Sequence, residues 1–304
     1  MRNKSLEIFY SIGESYVQHT AVSIISLLEN NTTLSPKINI ISNSISEKSK
    51  SILHNICDNY GIKRIKFHTI DENLVRHFPL SIGYITNETY FRYYIAAIAH
   101  NSDRALYLDA DTVVTGDISD LADVELTGYY AAGVSDNYIE NIGYKKELNF
   151  TPDDLYINAG VILLNLEAIR KDGIIEKLCS ATTLLSSKIR YQDQDVINIV
   201  LKGKIKEIPS CFNFTTSDVF RRSKEDFFNA KILHFTGQKK PWTRFLNTGS
   251  FSELYYYKYL KLTPFNKVLY KWVLTNPLRL IYSTSRIGPE RIIRILGLSI
   301  KYSE

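Results

Sequence analysis

The sequence predicts an α/β fold: a mostly parallel central sheet flanked by helices, carrying a basic, aromatic, helical appendage at its C-terminal end. Three observations predict it. Apolar runs of strand character alternate with stretches whose apolar residues recur every three or four positions, the order expected of a parallel sheet covered by helices. A chain of 304 residues with 44% hydrophobic and 23% charged content has the material for one large core plus an appendage. The charge is uneven: from residue 258 onward nine Lys/Arg stand against Glu290 and Glu304, while the 28 basic and 30 acidic residues before them nearly cancel. The chain therefore divides into one large domain over residues 1–250 and a basic helical region over 251–304.

The elements follow in order. "SLEIFYSI" (5–12) is a first strand, and "GESY" (13–16) leads into a helix. In that helix Val17, Ala21, Ile24, Ile25 and Leu28 form one apolar stripe. "KINIISNSI" is a second strand; "SEKSKSILHNICDNYG" is a helix with Ser46 as N-cap and Gly61 at its C-terminal end; "IKRIKFHTI" alternates like a third strand. "TYFRYYIAAIAH" reads as a helix, and "RALYLDA" as a central strand because its apolar run lacks the alternation of an exposed edge. "GYYAAGVSD" and "INAGVILLNL" are further strands, and "RYQDQDVINIVLKG" is a loop entering a helix stopped by Gly203. Cys57, Cys179 and Cys211 are odd in number, widely spaced and without a CxxC pair, so they read as reduced thiols. No run of about 18 uncharged apolar residues occurs, and the start lacks the apolar middle of a signal peptide, so a cytoplasmic location is expected.

The strand "LYLDADTVVT" closes on Asp109 and Asp111. In open α/β sheets ligands bind beyond the carboxyl ends of strands, at a switch point. Two carboxylates held close there stay ionised only with a cation or positive partner nearby. Asp-x-Asp can reach one divalent ion and leave room for phosphate oxygens. A phosphatase of the haloacid dehalogenase type also fits, because "DADTV" satisfies its nucleophile pattern, and a plain capped turn is the structural alternative. Downstream, "ILHFTGQKKPW" puts His234 after a short apolar run and Gly237 and Lys240 at three-residue intervals. A glycine lets backbone N–H groups approach a phosphate, and a lysine supplies a point charge. An imidazole beside two carboxylates favours Mn²⁺ over Mg²⁺.

"LYLDADTVV", "INAGVILLNL", "YQDQDVIN" and "HFTGQKKPW", in this order, resemble the retaining glycosyltransferases of family 8 over about residues 6–246. That group includes bacterial lipopolysaccharide galactosyl- and glucosyltransferases and glycogenin. The resemblance disfavours the phosphatase and implies a Rossmann-like GT-A catalytic domain. It implies that Asp109, Asp111 and His234 bind Mn²⁺, with Mg²⁺ as the second choice, and that Gly237 and Lys240 hold the two phosphates of a UDP-sugar. Arg92 would face the sugar and phosphate, while Asp136, Asn158, Asp193 and Gln194 would line the sugar pocket. Such side chains suit a hexose, whose hydroxyls both donate and accept. Tyr16 keeps an aromatic for base stacking, although "SIGESY" departs at Gly13 and Glu14 from the Asp-Asn-Tyr-like segment of many relatives. Gln194 falls where similar enzymes approach the back face of the sugar, and an amide is a poor nucleophile, so same-face substitution is the expected retaining route. The implied activity is transfer of galactose or glucose to a glycan or glycolipid acceptor in cell-surface polysaccharide or lipopolysaccharide synthesis, with an α-linked product. The alternatives are a self-glycosylating, glycogenin-like enzyme and a sugar-nucleotide or glycan-binding module without catalysis.

The tail interleaves Lys and Arg with Tyr270, Trp272 and Tyr282, and Pro264, Pro277 and Pro289 cut it into short segments. "PERIIRILGLSI" reads as a helix with Pro289 at its first position and Ile292, Ile295, Leu296 and Ile300 near one face beside Arg291 and Arg294. Residues 264–304 therefore suit the surface of an anionic membrane, at the inner face of the cytoplasmic membrane; packing on the catalytic domain or on a second subunit is the alternative. Nucleic acid is not an expected partner.

Overall fold

The computed structural model describes residues 4–63, 65–83, 85–216, 223–243, 251–275, 282–287, 290–295 and 298–303. The chain divides into two compact units: Met1–Val17 with Thr32–Ala110 and Ile118–Ser210, and Gln18–Asn31 with Asp111–Asp117 and Cys211–Glu304. Both units draw on interleaved stretches of sequence.

The first unit is built on a seven-stranded sheet of β1 (Lys4–Ser11), β2 (Leu34–Ser42), β3 (Ile65–Thr69), β4 (Arg104–Leu108), β6 (Ala131–Ser135), β7 (Ile157–Asn165) and β8 (Ile205–Glu207). Its order is β3-β2-β1-β4-β7-β6-β8. β1 pairs in parallel with β2 on one side and β4 on the other, with Ile8 opposite both Ile38 and Leu106. That reversal of direction around β1 is the switch point at which such sheets bind ligands. β7 runs antiparallel to β4 and β6, so the sheet is mostly but not wholly parallel. The nine residues of β7 are apolar except at its two asparagines because it lies between two strands in the middle of the sheet. Gly133 on β6 meets β7 closely: a Cβ there would lie 2.5 Å from Ile157 Cδ1.

The helices of this unit follow their sequence signals. α2 (Glu47–Asn59) starts at Ser46, whose hydroxyl accepts from the Ser49 N–H, and Gly61 beyond its end adopts φ +73°. The "TYFRYYIAAIAH" stretch is helical, but mostly as 3₁₀ turns over Asn87–Tyr94 that pass into α3 (Ile95–Ile98). α7 (Gln192–Val200) begins directly after Tyr191, and Gly203 closes the turn after it with φ +72°.

The second unit holds most of α1 (Val17–Asn30) and a small sheet ordered β5-β10-β9, from β5 (Thr112–Val114), β9 (Phe214–Thr215) and β10 (Ile232–His234). Polar side chains on the α1 helix reach β5: Ser23 Oγ lies 3.0 Å from Thr112 Oγ1, and Asn30 Nδ2 donates to the Val114 carbonyl at 3.1 Å. The unit continues through α9 (Glu253–Leu260) and α10 (Lys267–Thr275), the helical part of the expected appendage.

Beyond them the secondary structure differs from expectation. β11 (Tyr282–Ile287), β12 (Glu290–Ile295) and β13 (Leu298–Ser303) form an antiparallel meander where "PERIIRILGLSI" predicts a helix. Three of the six residues of β12 are isoleucine, whose branched Cβ loses rotamer freedom in a helix and favours a strand. Over so short a run periodicity does not separate the two. Pro277, Pro289 and Leu296 lie outside the described residues. Among the described residues no helix is long and apolar enough to cross a membrane.

Candidate functional site

In the first unit β4 ends at Leu108, and Asp109 follows it, its N–H donating to the Gly160 carbonyl at 2.8 Å. Asp109 Oδ1 accepts from Tyr107 Oη at 2.7 Å and from Arg92 Nη2 at 3.1 Å. Arg92 is no helix-surface charge. Its side chain is 7% exposed, lies 4.2 Å over the Tyr107 ring, donates to the carbonyls of Thr89 and Ala159, and pairs through Nε with Asp193 Oδ2 at 2.9 Å. Thr89 Oγ1 donates to the other oxygen of Asp193 at 2.5 Å. One guanidinium thus serves two carboxylates in unlike settings, Asp109 27% exposed and Asp193 5%. Burial opposes the charge on Arg92, but Asp109 and Asp193 outweigh it and hold the guanidinium ionised. Burial pushes Asp193 up to about 6 despite Arg92 and Thr89, and the Asp109 charge adds to the rise.

The same unit gathers Asp136, Asn158 and Gln194. Asp136 caps α4 (Asn137–Ile142), with Oδ1 accepting from the N–H groups of Tyr138 and Ile139, and its Oδ2 accepts from Gln194 Nε2 at 3.0 Å and Asn158 Nδ2 at 3.1 Å. Gln194 Oε1 in turn accepts from Asn158 Nδ2 at 3.2 Å and from the Ala159 N–H at 3.0 Å. Asn158 is not a turn residue: it sits within β7 and its own oxygen accepts from the Gly160 N–H. Asp195 has a structural task, since its carboxylate accepts from the hydroxyls of Tyr144 and Tyr156 and from the N–H groups of Arg190 and Tyr191. Tyr16 closes a 3₁₀ turn over Glu14–Tyr16 and is half-buried. Glu14, where the sequence departs from its relatives, braces the start of α2 by accepting from the Ser46 N–H at 2.8 Å and from Ser49 Oγ at 2.6 Å.

In the second unit Asp111 is the chain's step into β5, and β10 runs antiparallel to that strand with His234 opposite Thr112. The Phe235 N–H donates to the Asp111 carbonyl at 2.9 Å, which fixes the two segments side by side. Asp111 Oδ1 is buried, has no hydrogen-bond partner among the described residues and lies 3.1 Å from His234 Nε2. Its other oxygen meets Lys240 Nζ at 2.5 Å, and the same ammonium donates to the Phe235 carbonyl at 2.5 Å. His234 Nδ1 faces the amide oxygen of Asn213 at 3.0 Å, which orients the ring with Nε2 toward Asp111. Burial raises Asp111, but Lys240 and His234 outweigh it and hold the carboxyl well below its usual range. Gly237 adopts φ +77°, a left-handed conformation that admits glycine without strain, and no atom stands within 4 Å of where a Cβ would be. Beyond Lys240, Trp242 stacks on His19 at 3.7 Å, and burial pushes His19 down to about 3, so its ring is neutral.

Within the units, then, the expected residues fall into three sets: Arg92 with Asp109 and Asp193; Asp136 with Asn158 and Gln194; Asp111 with His234 and Lys240. Ala110 alone separates the carboxylates that head the first and third sets. Sequence reasoning missed Tyr107, Thr89, Asn213 and Gln192. Tyr107 was legible, because residues i and i+2 of a strand share a face. Asn213 carries no signal 21 residues before His234. Gln192 adopts φ +50° and is fully buried, with no hydrogen-bond partner for either amide atom among the described residues, which marks a strained backbone at the head of α7.

The fold and these sets define an α/β protein with carboxylates, amides and cations at and after the ends of its strands. Residues 7–245 match the model of Glycosyl transferase family 8, and the chain belongs to that family. A Haemophilus influenzae relative is 32% identical over 248 residues, covering 79% of this chain and 74% of its own. The lipopolysaccharide 1,2-glucosyltransferase of Escherichia coli is 27% identical over 284 residues, covering 88% of this chain and 81% of the relative. Among solved structures, the galactosyltransferase LgtC in complex with donor and acceptor sugar analogs shares the fold, with a TM-score of 0.77 at 24% identity over 85% of this chain and 96% of that one.

Proposed function

We propose that this glycosyltransferase moves galactose or glucose from a UDP-sugar to a glycan or glycolipid acceptor in cell-surface lipopolysaccharide or polysaccharide synthesis. The transfer retains configuration, gives an α-linkage and uses a divalent ion, Mn²⁺ in preference to Mg²⁺. The observation that carries the metal reading is the pair formed by the buried, unbonded Asp111 Oδ1 and the Nε2 of His234 at 3.1 Å. A carboxylate oxygen and an imidazole nitrogen facing one another suit two ligands of one cation, and the mixed donor set fits Mn²⁺. Asp109, one residue away from Asp111 across Ala110, is the proposed third ligand. When bound, the ion supplies Lewis-acid stabilisation of the charge that gathers on the departing diphosphate.

The chain's own groups do the rest. Lys240 adds a fixed positive charge to that diphosphate, and Gly237 leaves room beside the backbone for its oxygens. Tyr16 offers a ring to the base, and Arg92, Asp136, Asn158, Asp193 and Gln194 hold the hexose hydroxyls and the phosphate nearest them. Gln194 acts by position: its Oε1 already accepts from Asn158 and the Ala159 N–H, which weakens an oxygen that is a poor nucleophile to begin with. That supports same-face substitution, the acceptor hydroxyl giving its proton to the leaving phosphate. The relatives named for lipopolysaccharide glucosyl transfer support the acceptor class. The basic tail supports work at the cytoplasmic face of an anionic membrane.

The test is UDP release from UDP-galactose, UDP-glucose and UDP-N-acetylglucosamine with Mn²⁺, with and without EDTA. Turnover of galactose or glucose donor that EDTA abolishes is expected. No turnover and no binding with any of the three would defeat the reading.

A further inference from the structure

Lys240 is the one member of the third set whose contacts do not match the task proposed for it. A phosphate-binding lysine is expected to extend its ammonium outward, yet Nζ lies at 2.5 Å from both Asp111 Oδ2 and the Phe235 carbonyl, and the side chain is 9% exposed. Without it, the carboxylate of Asp111, 12% exposed, would lose the ammonium on Oδ2 and keep only the His234 ring beside an Oδ1 that has no hydrogen-bond partner among the described residues. An unpaired charge in such a place is strongly unfavourable, so a cation is required there before any ion or nucleotide arrives.

A divalent ion on Asp111 and His234 and an ammonium on the second oxygen of that carboxylate repel each other at short range. One must leave when the other comes, unless anionic charge arrives to share them. A nucleotide diphosphate brings that charge. The lysine stem is long and flexible enough to re-aim its ammonium.

We propose that Lys240 stands in for the metal: it neutralises Asp111 in the unliganded protein and releases that carboxylate to the divalent ion only as a nucleoside diphosphate takes up the ammonium. Metal and diphosphate then bind cooperatively through one side chain. The inference rests on the metal reading above. Coupling between two ligands is commonly about 5- to 150-fold in affinity. An ion competing with Lys240 for Asp111 binds more weakly by the fraction of molecules in which the lysine has let go.

Mn²⁺ binding measured by calorimetry or electron spin resonance, with and without UDP, tests it. In the unsubstituted protein UDP should tighten Mn²⁺ about tenfold or more. The variant Lys240→Met should bind Mn²⁺ without nucleotide about tenfold tighter than the unsubstituted protein and lose most of the gain from UDP. Lys240→Gln, whose amide still donates to Asp111 and to the Phe235 carbonyl, gives the same comparison should the Met variant not fold. A lysine that only binds phosphate leaves Mn²⁺ affinity without UDP unchanged on substitution; that result, or a weakening, overturns the stand-in role while leaving the metal site intact. Absence of Mn²⁺ binding to the unsubstituted protein even with UDP overturns the metal reading and the inference with it.

Discussion

Asp193 offers a prediction that needs neither metal nor substrate. Its carboxyl rises from an ordinary 3.8 to about 6 because burial outweighs its pairing with Arg92 and Thr89. Arg92 divides its charge between two carboxylates, and the more deeply buried of them takes the proton. Between pH 4 and 6 the folded protein therefore binds a proton that the unfolded chain releases. A raised folded value means that this group's contribution to stability is fully present below about pH 4 and is lost as pH climbs through 6. The shift of about two units corresponds to about 3 kcal/mol.

The perturbation is Asp193→Asn, which removes the titration while keeping the shape. Urea unfolding of both proteins from pH 4 to 7.5 is the assay, and slopes due to other groups cancel in the difference. The stability of the unsubstituted protein relative to the variant should fall by about 3 kcal/mol across the window. A difference that stays flat, or that grows with pH, would refute the reasoning: it would mean that the Arg92 pair and the Thr89 bond outweigh burial and that Asp193 stays fully ionised.

Other expectations are read more directly. Asp111→Ala should lower turnover at least about 10²-fold, as loss of a principal electrostatic stabiliser does, and should abolish Mn²⁺ binding; normal transfer by that variant in EDTA would make the ligand assignment wrong. The anomeric proton coupling of the product should be that of an α-glycoside, and a β-glycoside would sink the retaining reading. Truncation after residue 262 keeps the buried Tyr256, Tyr259 and Leu260 of α9, so the shortened protein should fold and turn over a soluble acceptor while losing salt-sensitive binding to anionic vesicles. Vesicle binding that survives the truncation, or is absent from the full chain, would remove the tail as an anchor.

What was legible in the sequence, and what was not, divides along the range of the forces involved. Ser46 as a cap, the apolar stripe of α1 and the unbroken run of β7 are set by neighbours a few residues away, and all three hold. The order of motifs placed the chain in its family and singled out Arg92, although nothing local distinguishes a buried guanidinium from a surface one. Its burial is decided by Asp109 and Asp193, which lie 17 and 101 positions further along. Asn213 and Gln192 were invisible for the same reason: a tautomer and a strained backbone leave no periodicity. In the tail, a basic, branched stretch satisfied the helical pattern and the strand pattern alike, and pairing among three segments decided for strands.

Why the chain sets two aspartates around a single alanine now has a physical answer. Asp109 follows a strand of one unit, partly exposed, and accepts from a guanidinium and a tyrosine hydroxyl. Asp111 stands just before a strand of the other, 12% exposed, with an ammonium on one carboxylate oxygen and an imidazole beside the other. Each carboxylate has its own positive partner in the unliganded protein. The partners differ in kind. Arg92 is locked by contacts with Thr89, Ala159 and Asp193. Lys240 is a flexible point charge on a turn after a left-handed glycine, the partner better suited to let go.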